Sequence, residues 1–238
     1  MSGSNGGCST VDALFASAGS LYAGGVFQSD NGLPAQNLAK INATTAALDQ
    51  TFTGTTGVAV SPCSPLEAVD AFALSGSSLY VGGDFTSYRG IAVNSLMKID
   101  VFTGVLDTTF THTSGAFPFV GALAVANGSV YLAGQITTYR GTSLQNLGNV
   151  DAATGVLDLT FTQPQGACHG TNGCGGAVWS LTPIGTKLYV GGDLTSYRGT
   201  PAYFSSRSME RPEPCWIPSE CSAVPAHRCV PAVRKSLA

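Results

Sequence analysis

Charged side chains are scarce in this chain of 238 residues. Asp, Glu, Lys and Arg together make up 11% of it, against about a quarter in an average globular domain. Only 11 of its residues are Lys or Arg, too few to neutralise the phosphates of a nucleic acid, so we expect no nucleic-acid partner. Disorder does not explain the low charge, because 44% of the residues are hydrophobic.

Long hydrophobic segments are missing as well. The sequence has no run of 18 or more apolar residues, so we expect no membrane span. The residues up to Cys8 contain neither a basic nor an apolar region, so the chain carries no export signal. Since other features favour a secreted or cell-surface protein, one explanation is that truncation removed the signal and that Met1 is not the natural start.

Motifs for catalysis and metal binding are also lacking. None of the three histidines lies in a nucleophile motif, and no Gly-x-Ser-x-Gly elbow occurs. Aspartates recur, but without the spacing of an EF-hand or of the calcium-binding nonapeptide, so we expect them to serve turns and caps. They are Asp49, Asp100, Asp107, Asp151 and Asp158. The sequence therefore predicts a protein that is not an enzyme and needs neither a cofactor nor a metal.

Glycine and internal repeats dominate what is present. Gly accounts for 30 residues, and short apolar runs alternate with Ser, Thr, Asn and Gly, as is typical of an all-β protein. A segment with Tyr in second and Gly in fifth position recurs at 21–27, 79–85, 130–136 and 188–194. Its Tyr residues lie 58, 51 and 58 positions apart. Two further blocks follow the first three copies in a constant order, at 37–42, 95–100 and 146–151, and at 48–52, 106–110 and 157–161.

Each unit predicts four short antiparallel strands. In the second unit these fall near 68–75, 79–85, 94–101 and 106–111, and Asn127-Gly128 is a hairpin signal in the third unit. Repeated four-stranded units are typical of propeller blades, which bury their faces against one another. We therefore predict an all-β, propeller-like fold of about three and a half blades of 51–58 residues. The first strands are expected near 11–18, 66–75, 120–127 and 177–184.

The complete unit resembles a known family. The run from Leu79 to Gly90, followed by the blocks at 96–100 and 106–110, is similar to the delta-60 repeat, a β-propeller-like family found in tandem in secreted bacterial proteins. The resemblance covers about 11–203 and implies a repeat scaffold without established catalytic residues. The first unit departs from the pattern, since it has Ser29-Asp30-Asn31-Gly32 where later units have Tyr-Arg-Gly.

Residues 204–238 differ from the repeat region, 1–203. This segment has no Gly but contains five Pro, three Cys and eight charged residues, and it begins where a third strand is due. Read one base out of frame, Met209-Glu210 encodes Gly, Cys215-Trp216 encodes Leu and Trp216-Ile217 encodes Asp. The other codons permit a sequence close to the missing strands. We therefore predict a frameshifted, disordered tail, with a natural C-terminal extension as the alternative.

One Tyr-Arg pair per unit is the candidate ligand site. The pairs are Tyr88 and Arg89, Tyr139 and Arg140, and Tyr197 and Arg198. On one propeller face they would offer guanidinium and aromatic groups to an anionic or sugar ligand. The alternative is structural, with each Arg tying a loop to a carbonyl or to a repeat Asp such as Asp84 or Asp193.

Four cysteines precede first strands. Cys168 and Cys174 are predicted to form a small disulfide loop, which suits an oxidising compartment. A metal site that uses His169 is the alternative, but it lacks the usual paired spacing. Cys8 and Cys63 are expected either to pair between neighbouring blades or to leave Cys8 without its natural partner.

These observations predict a non-catalytic repeat scaffold of a secreted or cell-surface protein. We expect it to work in adhesion or ligand binding through propeller loops, with a protein or a glycan as partner. Two alternatives stay open: a fragment of a propeller-type enzyme, and a non-functional truncated gene product. Because three and a half blades leave an open edge, self-association through that edge is also expected.

Overall fold

The structure, a computed structural model, describes residues 1, 9–54, 57–59, 68–161, 166–168, 177–201 and 207–208. Within these ranges the backbone is almost entirely β and forms four consecutive propeller-like blades. The predicted all-β, propeller-like class is therefore confirmed. The chain forms no closed sheet in the part that the structure describes, and no helix there is long and apolar enough to cross a membrane.

Blades 1 and 2 share one plan. Blade 1 consists of β1 (Thr10–Ser17), β2 (Ser20–Val26), β3 (Ser29–Asp30), β4 (Leu33–Pro34) and β5 (Leu38–Asn42), followed by the helical turn α1 (Gln50–Thr53). Blade 2 consists of β6 (Val58–Ala59), β7 (Val69–Ser75), β8 (Ser78–Gly83), β9 (Ser87–Tyr88), β10 (Ile91–Ala92) and β11 (Leu96–Asp100). The main sheets run β1-β2-β5 and β7-β8-β11, and β6-β9-β10 is a second, small sheet.

Blade 3 joins the main and small sheets through two long strands. It consists of β12 (Ala116–Ala126), β13 (Ser129–Tyr139), β14 (Thr142–Ser143) and β15 (Leu147–Asp151). Blade 4 returns to the divided plan with β16 (Ala167–Cys168), β17 (Val178–Ile184), β18 (Lys187–Gly192), β19 (Ser196–Tyr197), β20 (Thr200–Pro201) and β21 (Arg207–Ser208). Strand β21 lies in the predicted tail and pairs with β18, where a third strand is due. The rest of that segment lies outside the described residues.

A hairpin and a bulge shape the first two strands of every blade. Asn127 and Gly128 have φ values of 52° and 76°, as a two-residue hairpin turn requires, and this confirms the signal read from the sequence. One extra residue then bulges from the first strand opposite the Gly pair of the second. In blade 2 the bulge separates Val69, which pairs with Gly83, from Ala71, which pairs with Gly82.

The fourth strand of blades 1, 2 and 3 shrinks to one bridging residue. The bridges join Ile41 to Leu48, Ile99 to Leu106, and Val150 to Leu157. In blade 2 the carboxylate of Asp107 then accepts hydrogen bonds from the backbone N–H groups of Thr109 and Phe110, at 2.9 and 3.2 Å. These local bonds turn the chain instead of extending it. The predicted strand over 106–111 is therefore wrong beyond its first residue.

The hydrophobic core lies between blades. One cluster combines Tyr22 and Leu38 of blade 1 with Val69 and Val81 of blade 2, and equivalent clusters join blades 2 and 3 and blades 3 and 4. Val69 is fully buried, and each such side chain contributes about 1.5–3 kcal/mol. Blades therefore stabilise one another, as the repeat predicts.

Candidate functional site at the centre of the blades

The first strands of all four blades surround one cavity of about 350 Å³. It is lined by residues 12–14 of β1, 70–72 of β7, 121–123 of β12 and 179–181 of β17. Each stretch begins with the bulged residue of its strand. The fold therefore places the same short segment of every blade around one central space.

The bulged residue varies among the blades, although it is Asp in two of the four. It is Asp12 in blade 1, Asp70 in blade 2, Gly121 in blade 3 and Trp179 in blade 4. A repeated scaffold residue would be similar in each copy, whereas this position holds Asp twice, Gly once and Trp once, and these residue types differ in charge, size and hydrogen-bonding capacity. The cavity thus combines a common backbone with blade-specific chemistry, as a binding pocket requires.

Asp70 is the most perturbed titratable group of the cavity. Its Oδ2 atom is buried, with no hydrogen-bond partner among the described residues. Burial, together with the negative charges of Asp12 and Asp84, raises the pKa of Asp70 to about 7. The carboxyl group therefore exchanges a proton near neutral pH and is ready to accept a hydrogen bond from a ligand.

Trp179 gives the cavity an exposed aromatic surface. The residue is 56% exposed, and its ring centroid lies 6.3 Å from that of Phe119 of blade 3 at an interplanar angle of 55°. A large aromatic side chain that stays exposed beside a cavity is suited to contact an apolar face of a ligand. Together with the Asp70 carboxyl group, the cavity offers one hydrogen-bonding wall and one aromatic wall.

The Tyr-Arg pairs lie away from this cavity, at the contacts between blades. Arg89 of blade 2 donates a hydrogen bond to the carbonyl of Phe52 in blade 1. Arg140 does the same to Phe110 of blade 2, and Arg198 to Phe161 of blade 3. Each guanidinium also lies over its neighbouring Tyr ring, at 5.2–5.3 Å from the centroid. The geometry thus matches the structural alternative, a tie from a loop to a carbonyl.

The Tyr members of these pairs are anchored in the same contacts. Tyr88 and Tyr139 are buried, and their hydroxyl groups donate to the carbonyls of Gly104 and Gly155, each at 2.7 Å. Burial raises the pKa of both Tyr88 and Tyr139 to about 12, although the adjacent Arg charge opposes this. The structure does not bring the three pairs into one pocket. Their predicted role in ligand binding stays a prediction.

The repeated aspartates cap turns. Asp100 accepts from the backbone N–H groups of Phe102 and Thr103 at 3.1 and 2.8 Å, and Asp151 is bonded in the same way. The backbone hydrogen bond from Thr103 is the largest of the causes that lower the pKa of Asp100. No group of three or more His, Cys, Asp or Glu side chains that would suit a metal ion occurs among the described residues.

Cys168 is the one predicted disulfide residue whose position the structure describes. It lies in β16 and is 8% exposed. Cys174, Cys8 and Cys63 lie outside the described residues, so the pairing of Cys168 with Cys174 stays a prediction.

Comparison with known proteins agrees with the repeat architecture. Residues 78–110, most of blade 2 from β8 onward, match a family described as a domain of unknown function (DUF5122) beta-propeller. The matched stretch is thus similar to a propeller family, while the delta-60 assignment stays a prediction. No curated protein matches this chain.

Several solved structures are similar to this chain at low sequence identity. They include the computationally designed Ika4 protein (14% identity, TM-score 0.45), Sqt1 of Saccharomyces cerevisiae (17%, 0.43) and BamB from Moraxella catarrhalis (11%, 0.39). The alignments cover 79%, 74% and 77% of this chain. The chain spans 88% of Ika4, but only 40% of Sqt1 and 42% of BamB.

The cavity residues were not identified from the sequence, although the first strands contain a pattern that indicates them. The first strands align as Val-x-Ala-Leu or a close variant, and x is the bulged residue that lines the cavity. Variation at one position inside an otherwise constant strand indicates a site that the scaffold does not constrain. The register of the Gly pair is needed to see that this position is a bulge.

A second missed feature is a buried amide that links consecutive blades. The side chain of Asn37 accepts from the N–H of Phe27 at 2.9 Å and donates to the carbonyl of Val58 in the next blade at 2.6 Å. Asn146 makes the equivalent bonds to Ile136 and Ala167, at 3.2 and 2.7 Å. These residues are scaffold, and they explain why Asn recurs before the third strand.

Proposed function

We propose that this chain is a non-catalytic propeller scaffold that binds a glycan in its central cavity. The observation that carries the proposal is the variable bulge position, which places two Asp, one Gly and one Trp of a repeated backbone around one space. The repeated polar residues, in contrast, are engaged in turns and ties between blades. Specificity therefore resides at the centre of the blades.

The chemistry of the cavity favours a sugar. Sugar hydroxyl groups donate hydrogen bonds, which suits the carboxylates of Asp12 and the unpartnered Oδ2 of Asp70. The C–H face of a sugar ring is apolar, and the exposed ring of Trp179 offers a surface for it. The few charged residues of the chain are consistent with a neutral ligand. A scaffold of this kind, resembling the delta-60 repeat, is best placed in a secreted or cell-surface protein.

The test is an oligosaccharide array probed with the full chain, followed by calorimetry on the oligosaccharides that bind. Replacing Trp179→Ala is expected to weaken binding about tenfold or more, because an aromatic anchor is lost. Val105→Ala is the matched control, since Val105 is 60% exposed in a turn away from the cavity. Absence of any bound glycan, or equal affinity of the Trp179→Ala variant and the wild type, would reject the proposal.

A second candidate function is favoured by the titration of Asp70. A carboxyl group with a raised pKa near a second carboxylate is the arrangement that glycoside hydrolases use, with the protonated group as general acid. Asp70 and Asp12 line the same cavity, and Asp70 has a pKa of about 7. Release of reducing ends from a bound oligosaccharide by the wild type, and loss of this activity in Asp70→Asn, would assign an enzyme. Binding without any turnover supports the scaffold.

A further inference from the structure

The contact between consecutive blades follows one rule that is visible twice with Gly and once with Ala. Two apolar side chains from the first strand of blades 2 and 3 pack onto the first residue of the Gly pair in the preceding blade. In blade 3 these are Val120 and Leu123, which would lie 2.7 and 3.2 Å from a Cβ atom built on Gly82. Such distances leave no room for a side chain at Gly82. Gly82 therefore leaves a depression in the face of its blade, called the socket below, and Val120 and Leu123 fill it.

The contact of blades 1 and 2 obeys the same rule, and the contact of blades 3 and 4 has the small residue Ala133 in place of the Gly. Val69 and Phe72 of blade 2 lie against the Cα of Gly24 of blade 1. Val178 of blade 4 packs in one cluster with Ala133 of blade 3, the residue in the equivalent position. The valines are buried in all three contacts, with 0% exposure at Val69, Val120 and Val178.

Among the residues that the structure describes, both halves of this contact recur without a counterpart, one in blade 1 and the other in blade 4. In blade 1, Val11 and Leu14 occupy the positions of Val120 and Leu123, yet they are 43% and 64% exposed. In blade 4, a Cβ atom on Gly191 would have only Ser180 of the same blade within 4 Å among the described residues. In the described part of the chain, one end thus presents the filling side chains, and the other presents a socket that only the Ser180 hydroxyl approaches, at 2.5 Å from such a Cβ atom.

A hydrogen bond between blades has a donor position in blade 4 and an acceptor position in blade 1 for which the described residues supply no counterpart. The Tyr22 hydroxyl of blade 1 donates to the carbonyl of Val101 in blade 2 at 3.1 Å, and Tyr80 donates to Ala152 in blade 3 at 2.7 Å. Tyr189 of blade 4 is the equivalent donor. Ala43 of blade 1 is the equivalent acceptor position, because its N–H bonds to Gly19 just as that of Val101 bonds to Ser77. The two ends are therefore complementary in hydrogen bonding as well as in shape.

We propose that two copies of this chain associate head to tail, with the blade 1 face of one copy packed on the blade 4 face of the other. Val11 and Leu14 would fill the socket at Gly191, and Tyr189 would donate to the carbonyl of Ala43. Such a contact is heterologous, so two copies close into a ring if the curvature allows and otherwise extend further. It joins blade faces, not strand edges.

The contact between copies lacks one hydrogen bond that joins blades within the chain. Blade 1 has Asn31 where the later blades have the Arg that reaches the carbonyl of the preceding blade, although Asn31 keeps the positive φ of that position, at 46°. The contact between copies therefore lacks a charge-assisted hydrogen bond that every contact within the chain possesses. We accordingly expect it to be reversible and dependent on concentration.

Sedimentation velocity of the full chain over a range of concentrations tests the proposal. The wild type is expected to shift from monomer toward dimer or larger species. Leu14→Asp should raise the dissociation constant about a hundredfold or more, because it would bury an unpaired carboxylate. Gly191→Val should do the same by filling the socket. Val105→Asp is the matched control, since it adds a charge at a residue that is 60% exposed outside both faces.

A mixture of the two variants identifies the direction of packing. The Leu14→Asp protein keeps a good blade 4 face, and the Gly191→Val protein keeps a good blade 1 face. Mixing them should therefore restore one contact and yield a dimer that neither forms alone. A wild type that stays monomeric at every concentration would overturn the proposal. So would association that survives both substitutions, or a mixture that stays monomeric. Circular dichroism of each variant confirms that it is folded.

Discussion

Replacing Asp70 by Asn is expected to remove a pH dependence from the stability of the protein. The pKa of Asp70 is raised from 3.8 to about 7, chiefly because its carboxyl group is buried. The unfolded chain ionises this group near pH 3.8, whereas the folded chain keeps its proton until about pH 7. The unfolded state is therefore favoured progressively as the pH rises between these two values, and the penalty is constant above them.

The magnitude follows from the size of the shift. A pKa rise of about 3 units corresponds to at most about 4 kcal/mol, at 1.36 kcal/mol per unit. The repeated aspartates such as Asp100 and Asp107 have lowered pKa values, so they lose their stabilising contribution as the pH falls below 3.8. Their effect is opposite in direction and common to both proteins. It therefore cancels in the difference between the wild type and Asp70→Asn.

The assay is urea unfolding of both proteins at several pH values from about 4 to 8, with circular dichroism as the signal. The free energy of unfolding of the wild type, minus that of Asp70→Asn, should fall across this range and level off above about pH 7. Asp12→Asn is the companion variant, because it removes one of the two charges that raise the pKa of Asp70. In the Asp12→Asn background, the difference in free energy of unfolding should fall over a narrower range of pH. A difference that stays constant from pH 4 to 8 would refute the reasoning.

Three further predictions concern the scaffold and are measured by thermal or urea unfolding. Arg140→Lys should lower the free energy of unfolding by about 1–3 kcal/mol, because it breaks the half-buried hydrogen bond to the preceding blade. Arg198→Lys should lower it less, because Arg198 is exposed. Equal losses in the two variants would contradict this. Gly82→Val should destabilise by about 1–3 kcal/mol or more through overlap with Val120, whereas Gly191→Val should cost less, because the nearest atom there is the Ser180 hydroxyl, which can rotate away. Asp107→Ala should cost about 1 kcal/mol by removing both a turn cap and the 2.9 Å ion pair with Lys98. An unchanged midpoint would exclude the cap role.

Some features of the fold were predictable because they repeat. The Tyr and Gly positions recur at a nearly constant spacing, and each copy predicts the same hairpin whose turn and register the structure confirms. The fourth strand was not predictable in the same way. Its apolar residue and the Asp that follows are compatible with a strand, but the Asp107 carboxylate bonds to backbone N–H groups two and three residues on and turns the chain.

The candidate site residues also fall into those that repeat in the sequence and those that vary between copies. The Tyr-Arg pairs were visible because they repeat, yet repetition by itself does not distinguish a ligand contact from a tie such as that of Arg89 to Phe52. Asp70 and Trp179 were overlooked because their position holds Asp in only two blades and Trp in only one. Their position opposite the Gly pair becomes meaningful only when the bulge is known.

The sequence by itself thus determined the unit, the number of copies and the positions where a side chain is forbidden, because these follow from local conformation and from steric contacts that every copy repeats. Only the tertiary structure decided what the repeated units enclose. A cavity arises when four first strands converge, and the pKa of Asp70 depends on burial and on charges from other parts of the chain. No local pattern contains that information, since the residues that meet there are separated by about one blade length along the chain.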